Sequence, residues 1–205
     1  MKNVEKSKIL EYITTVAVPF VSEFVAKKHF RVNACFDFED NEPIVAIASL
    51  ETPNNHGKYF KPNFLDKIER NVPARRVKVQ RLVKSARDYK ILEELDKIAS
   101  GQTIALAHFY EILKLDTVLK KRGSKKGLLI NAAGSYSVGN IAYINDVRNK
   151  MWCVHALYDL VLPSNEYGGS PAGWDIDAFP IDKEENPPNC WWSPHFEGHF
   201  IISYA

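Results

Sequence analysis

"YINDVRNKMWCVHALYDLVLP", residues 143–163, decides how the rest of this chain is read. Ile144, Val147, Met151, Val154, Tyr158 and Val161 recur at alternating steps of three and four, the spacing of one face of an α-helix. The competing reading is a hairpin that turns at "DVRNK". Strand alternation fails there, because Met151, Trp152 and Cys153 are consecutive and all apolar. The spacing therefore predicts a helix over 140–162, with Asn140 as its cap and Pro163 just past its end. On such a helix Arg148 and His155, seven positions apart, share one face about 10 Å apart along the axis. Both lie beside the apolar stripe, where a charged group needs a partner or a purpose.

Helical spacing extends in both directions. Residues 4–28 carry Ile9, Ile13, Val16, Phe20 and Phe24 at three- and four-residue steps, with Pro19 kinking the helix or starting a second one. "RVNACFDF" (31–38) and "PIVAIASL" (43–50) read as two strands across the polar turn "EDNE". From Val77 onward Leu82, Ala86, Tyr89, Ile91, Leu95 and Ile98 form an apolar face that ends at Ser100-Gly101. Thr103 caps a further helix bearing Leu106, Phe109 and Leu113. Lys120, Lys121 and Arg122 occupy its last turn, where cations suit the helix dipole, and Gly123 terminates it. Residues 163–195, with Trp174, Trp191 and Trp192, read as a long ordered loop, and "GHFIISY" (198–204) as a strand. The expected fold is mainly α: a helical bundle with small β elements in the N-terminal third and at the C-terminus, α+β overall. Its parts are a helix and β-hairpin over 1–75, a helical core over 76–162 and a loop-rich extension over 163–205, in one compact unit.

At 205 residues and 45% hydrophobic composition the chain can bury a sizeable core. A net charge of +2 names no partner, but the distribution is uneven. Residues 67–90 hold nine Lys or Arg against Glu69 and Asp88, and "KKRGSKK" fills 120–126. Residues 159–185 reverse the balance, with seven acids against Lys183. A basic middle suits a polyanion, or an acidic segment of the same chain. Three cysteines without tight spacing fit a reducing cytoplasm rather than a disulfide framework. The run "ILEYITTVAVPFVSEFVAKK" (9–28) carries Glu11, Pro19 and Glu23 and is too interrupted for a membrane span or signal peptide.

Arg148-Asn149, followed six residues later by His155, resembles the R-x4-6-H motif of HEPN domains (higher eukaryotes and prokaryotes nucleotide-binding). Cys153, Leu157 and Tyr158 extend the likeness to the HEPN domains of abortive-infection proteins. The segment "SGQTIALAHFYEIL" (100–113) is similar to a helix upstream of that motif, with Ser100-Gly101 in place of its Phe-Gly. The resemblance covers residues 76–162. It implies a helical bundle and a metal-independent endoribonuclease that leaves 2′,3′-cyclic phosphate ends. It also implies a homodimer, a cytoplasmic toxin or antiphage setting, and control by an antitoxin or regulatory protein. Under it Arg148, Asn149 and His155 are the catalytic set. His155 moves a proton near neutral pH, Arg148 steadies phosphate oxygens, and Asn149 orients the histidine or holds phosphate. Arg75, Arg76, Lys78, Lys120, Lys121 and Arg122 are the expected contacts to RNA backbone; the alternative for the 77–90 segment is a solvated face. No cofactor or metal is expected.

Two other readings compete. The first keeps the bundle but makes it a non-catalytic interaction protein for nucleic acid or a protein partner. The second gathers Cys153, His155, Cys190, His195 and His199 around zinc, but the spacing fits no common finger. The glycines of "GLLINAAGSYSVG" (127–139) form neither a P-loop nor a dinucleotide fingerprint.

Overall fold

The computed structural model describes residues 9–32, 45–47, 60–98, 103–121, 128–129, 139–159, 173–181 and 197–205. The deciding stretch is a hairpin, not a helix. β7 (Asn140–Asn145) and β8 (Met151–Asp159) pair antiparallel, with Ile144 opposite Trp152 and Ile141 opposite His155. The turn between them is built by two residues. The amide of Asn149 donates to the Asp146 carbonyl at 3.1 Å, and the amide of Asp146 to the Lys150 carbonyl at 2.8 Å. Asn149 takes a left-handed φ of 61°, which asparagine tolerates better than most residues, and which closes a short hairpin loop. The Asp146 side chain then accepts from the amides of Arg148 (2.8 Å) and Lys150 (2.9 Å) and from the Trp152 indole (2.9 Å).

Alternation failed as a guide because β8 is covered on both sides. Trp152, Val154 and Ala156 enter one core, while Cys153 and Met151 pack on the other. A strand buried on both faces reads as a continuous apolar run, and such a run matches helical spacing by accident.

The mainly α bundle is therefore replaced by a predominantly β fold. One mixed eight-stranded sheet has the order β1-β6-β10-β7-β8-β9-β4-β3. Its members besides β7 and β8 are β1 (Leu10–Val18), β3 (Phe30–Val32), β4 (Val45–Ile47), β6 (Arg75–Leu82), β9 (Gly173–Pro180) and β10 (Phe200–Tyr204). The β10–β7, β9–β4 and β4–β3 pairs are parallel and the rest antiparallel. A second sheet pairs β2 (Val21–Val25) with β5 (Ile68–Val72).

Further expectations change with it. The described part of the 4–28 helix is β1, β2 and the short α1 (Ala26–His29); the run of Ile13, Thr14, Thr15 and Val16 stiffens χ1 and favours strand. The β-hairpin expected within 31–50 is absent as such, since β3 and β4 are parallel neighbours, and 33–44 lies outside the described residues. The helix expected from Val77 begins later, as α3 (Asp88–Ile98), because 75–82 is strand β6. The loop expected over 163–195 contains β9. The helix after Thr103 exists as α4 (Leu106–Lys121), and the strand expected over 198–204 as β10. Thr103 does not cap α4. The Glu69 carboxylate of β5 does, accepting from the amides of Leu106 (3.1 Å) and Ala107 (2.8 Å).

The helices lie on opposite faces of the large sheet. α4 packs with Val77, Val79, Ala142, Ile144, Val154, Ala156, Ile176, Ala178 and Ile202. That core also takes in Phe24, Ala26, Phe30, Phe60 and Phe64 from the β2 to α2 region, where α2 is Phe60–Phe64. The Trp174 indole fastens α4 to the sheet, donating to Thr117 Oγ1 at 2.9 Å. On the other face α3 supplies Ile91, Leu92 and Leu95 to a smaller core with Leu82, Ile141, Tyr143, Cys153 and Ile201. No helix among the described residues is long and apolar enough to cross a membrane.

Candidate functional site

The hairpin separates the motif residues. Arg148 is exposed in the turn, whereas His155 lies in mid-strand. Five extended residues part Lys150 from His155, roughly 17 Å. Arg148 and His155 therefore project from no common helical face. Asn149 closes the turn and accepts from Asn145 Nδ2 at 3.1 Å.

Chemistry collects instead on the α3 face of the sheet, in two places. The first surrounds His155, which stands opposite Asp177 of β9 in register. Its ring stacks on His199, with centroids 5.5 Å apart and planes 29° apart, and meets Phe179 edge-on at 6.4 Å. Gly139 makes room for the imidazole: a Cβ there would lie 2.6 Å from His155 Cε1 and 2.7 Å from Leu157 Cδ2. His199 is only 4% exposed and Asp177 is buried; His155 is half-buried. On a strand, Cys153 and His155 share this face. Cys153 is inert there. Burial pushes its thiol well up, and the neighbouring Asp88 carboxylate, to which it hydrogen-bonds, adds to the effect. Tyr143, which donates to Asp88 Oδ1 at 2.8 Å, is raised for the same reasons.

The second place is a groove of about 640 Å³ between α3 and the ends of β8 and β9. Tyr89, Leu92, Glu93 and Asp96 form its helical wall, at positions that recur on one helix face. Lys150, Met151, Pro180 and Ile181 form the strand side. The Lys150 ammonium rests 4.7 Å from the Trp152 ring centroid.

Cations line the same end of the sheet. β6 begins at the sheet end where β7 stops and β8 starts, and the Ala205 amide donates to the Arg76 carbonyl at 2.9 Å. Arg76 and Lys78 alternate with Val77 and Val79, which face α4, so they stand on the α3 face. Arg76, Arg148 and Lys150 are exposed and Lys78 half-buried. None of the four forms an ion pair with a carboxylate within 4.0 Å among the described residues. Arg75 faces the other way, its guanidinium 4.6 Å from the Tyr204 ring centroid. The expected backbone-contact set is thus split: Arg76 and Lys78 sit together, Arg75 packs on an aromatic ring, the side chains of Lys120 and Lys121 lie outside the described part, and Arg122 lies outside the described residues.

Glu93, Asp96, Lys150, Tyr89 and Asp177 were not anticipated as site residues, and His199 only as a zinc ligand. Asp175 and Asp177 alternate with Trp174, Ile176 and Ala178 in "GWDIDAFP", a strand signal that placed an acid on a sheet face. Nothing local marks Lys150. Of the zinc set, Cys190 and His195 lie outside the described residues; among the described residues no group of three or more His, Cys, Asp or Glu is disposed to hold a metal ion. Compared with known proteins, the chain matches no family model, no curated protein and no solved structure.

Proposed function

We propose that the protein binds single-stranded RNA along the end of the large sheet where β6 and β8 begin. The observation that carries this reading is the placing of Arg76, Lys78, Arg148 and Lys150 along one end of the large sheet, where β6 and β8 begin, with the groove that holds Tyr89 beyond β8. Phosphates supply sequence-independent affinity to such cations, and an aromatic ring in an adjoining groove offers a stacking surface for a base. A duplex would keep its bases stacked away from the groove, so the unpaired strand is the fitting form.

Fluorescence anisotropy of a short labelled RNA, run across a salt series, tests it. Each phosphate neutralised contributes about −0.7 to the slope of log affinity against log salt, so four cations give about −3. Arg76→Ala, Lys78→Ala, Arg148→Ala and Lys150→Ala should each flatten the slope by about 0.7. An affinity that ignores salt, or a quadruple variant that binds as well as wild type, overturns the reading.

The His155–His199 stack opposite Asp177 favours a second reading, RNA cleavage. RNA carries its own nucleophile, so His155 need only take the 2′-hydroxyl proton as that oxygen attacks phosphorus. The P–O5′ bond then breaks, and the 5′-oxygen leaves with the proton returned by the His155 imidazolium, giving a 2′,3′-cyclic phosphate and a 5′-hydroxyl. On this reading His155→Asn abolishes cleavage and spares binding, while Arg148→Ala still cleaves. Wild-type protein that binds RNA and leaves it intact refutes cleavage alone.

A further inference from the structure

We infer that a base of the bound strand stacks on Tyr12, in line with Lys78 and Arg76, which hold its phosphates; this rests on the RNA-binding reading above. Tyr12 of β1 is 59% exposed, more than any other large apolar side chain among the described residues. The register of β1 decides where it points. Tyr12 stands opposite Gln80, Thr15 opposite Lys78 and Ala17 opposite Arg76. Directly opposed residues of an antiparallel pair share a face. The pairing shifts between Tyr12 and Thr14, and the extra residue, Ile13, brings positions three apart onto one side. Tyr12, Thr15 and Ala17 therefore share the α3 face with Lys78 and Arg76. Same-face residues of β6 are about 7 Å apart, so the ring and the two cations follow one another along a line at that interval. Among the described residues β1 is the outermost strand of the large sheet, which leaves the line open along one side.

The ring is held in place before any ligand arrives. The hydroxyls of Tyr12 and Thr15 hydrogen-bond at 3.2 Å. A hydroxyl tied to its own strand lays the ring along the sheet instead of letting it stand away from it, and a tethered ring loses little freedom on binding. No acid of the two strands competes for the cations. Glu11, the one acid of β1 and β6, lies on the opposite face, where it accepts from Arg81 Nε at 3.0 Å. Single-stranded RNA answers both features. Its phosphates meet Lys78 and Arg76, and its bases each present a π-face, so the contact tolerates any sequence. A duplex keeps its bases stacked inside. A second copy of this chain would set its own Lys78 and Arg76 against these, and like charges brought together disfavour that partner.

Fluorescence anisotropy of the full chain with labelled oligouridine, beside an abasic strand of the same length, tests the inference. Tyr12→Ala should weaken oligouridine binding roughly five- to 150-fold, the effect of losing one stacked base. The salt slope should stay as it is, since no charge is removed. The abasic strand should bind wild type and Tyr12→Ala alike. Tyr12→Trp should keep oligouridine binding, which separates a lost ring from a damaged fold. Salt-dependent binding that is equal in wild type and Tyr12→Ala overturns the inference and leaves the RNA-binding reading standing. So does an abasic strand weakened as much as oligouridine, or a Tyr12→Trp that binds as poorly as Tyr12→Ala. Sedimentation showing that Tyr12→Ala breaks up an oligomer of the free protein makes Tyr12 a protein contact and overturns it as well. Failure of wild type to bind either strand sinks both readings together.

Discussion

Replacing Asp146 with alanine puts opposite signs on the two readings of residues 143–163. In a helix, position 146 would be an interior site with a poor helix former, and alanine would stabilise by up to about 0.7 kcal/mol. In the hairpin, Asp146 is 3% exposed and accepts three hydrogen bonds, from Arg148 N, Lys150 N and Trp152 Nε1. The indole N–H, shut away from water, then loses its acceptor at a cost of about 1–3 kcal/mol. The two amides lie at the rim and can turn to solvent, so each adds about 0.5–1 kcal/mol. The sum is a loss of about 3 kcal/mol, or roughly 6–12 °C in melting temperature for a chain of this size. Asp146→Asn keeps an oxygen for the two amides but turns its own donors on the indole, and should lose about half as much.

Urea unfolding followed by tryptophan fluorescence measures both variants, with the exposed Asp66→Ala as the control. The pH profile adds a second check. Burial pushes the Asp146 carboxyl up, but the donors from Lys150, Trp152 and Arg148 and the Arg148 charge outweigh it and hold the group below its ordinary value. Stability from this carboxylate is therefore present above the unfolded value, about 3.9, and is lost as pH falls toward the lower folded one. Asp146→Asn should lack that acid-range component. A stabilising Asp146→Ala, or one indistinguishable from Asp66→Ala, would refute the hairpin argument.

His108 should give stability a second pH dependence, on the other side of pH 5. The buried imidazole accepts from the Tyr204 hydroxyl at 2.9 Å and donates to the Pro19 carbonyl at 3.1 Å, and burial lowers its pKa. The unfolded chain takes up the proton first, so stability should fall below about pH 6.5 by up to about 1.4 kcal/mol per pH unit. His108→Gln, which can both accept and donate, should flatten that fall; coincident slopes for the two proteins on the acid side of about pH 6.5 count against it. Gly139→Ala should drive the His155 ring off His199 and cost about 1–3 kcal/mol by overpacking. Unchanged unfolding and unchanged imidazole resonances in proton NMR would show that the close approach at Gly139 is wrong.

What the sequence revealed depended on how each segment is covered. α4 was legible from Leu106, Phe109 and Leu113, and β10 from its apolar run, because helical spacing and a turn-bounded run each meant what they usually mean. β8 was not, since Met151, Trp152 and Cys153 are all apolar for different reasons: Trp152 faces the α4 core while Met151 and Cys153 face α3. The better signal lay in the turn. Asp146 and Asn149, three apart, are the residue types that hydrogen-bond their own backbone and tolerate φ above zero. Parallel pairings such as β10 with β7 join distant segments and leave no local trace.

The same dependence explains why one candidate site dissolved and another formed. Spacing along a sequence becomes a distance only once the backbone period is known. Seven residues span about 10 Å in a helix and about 23 Å when extended, so Arg148 and His155 are companions in the first case and strangers in the second. The extended backbone also creates neighbours that no motif search seeks. β6 and β8 run in the same direction through the sheet, because β6 opposes β10, β10 parallels β7 and β7 opposes β8. Their first residues therefore lie at one end, three strand spacings or about 14 Å apart. Arg76 and Lys150 reach the same end of the sheet from opposite halves of the chain, Arg76 on the α3 face and Lys150 against Trp152 on the other. The candidate site is thus a product of sheet order rather than of any local motif, and a change that reverses one strand's direction would dismantle it while leaving every side chain in the sequence intact.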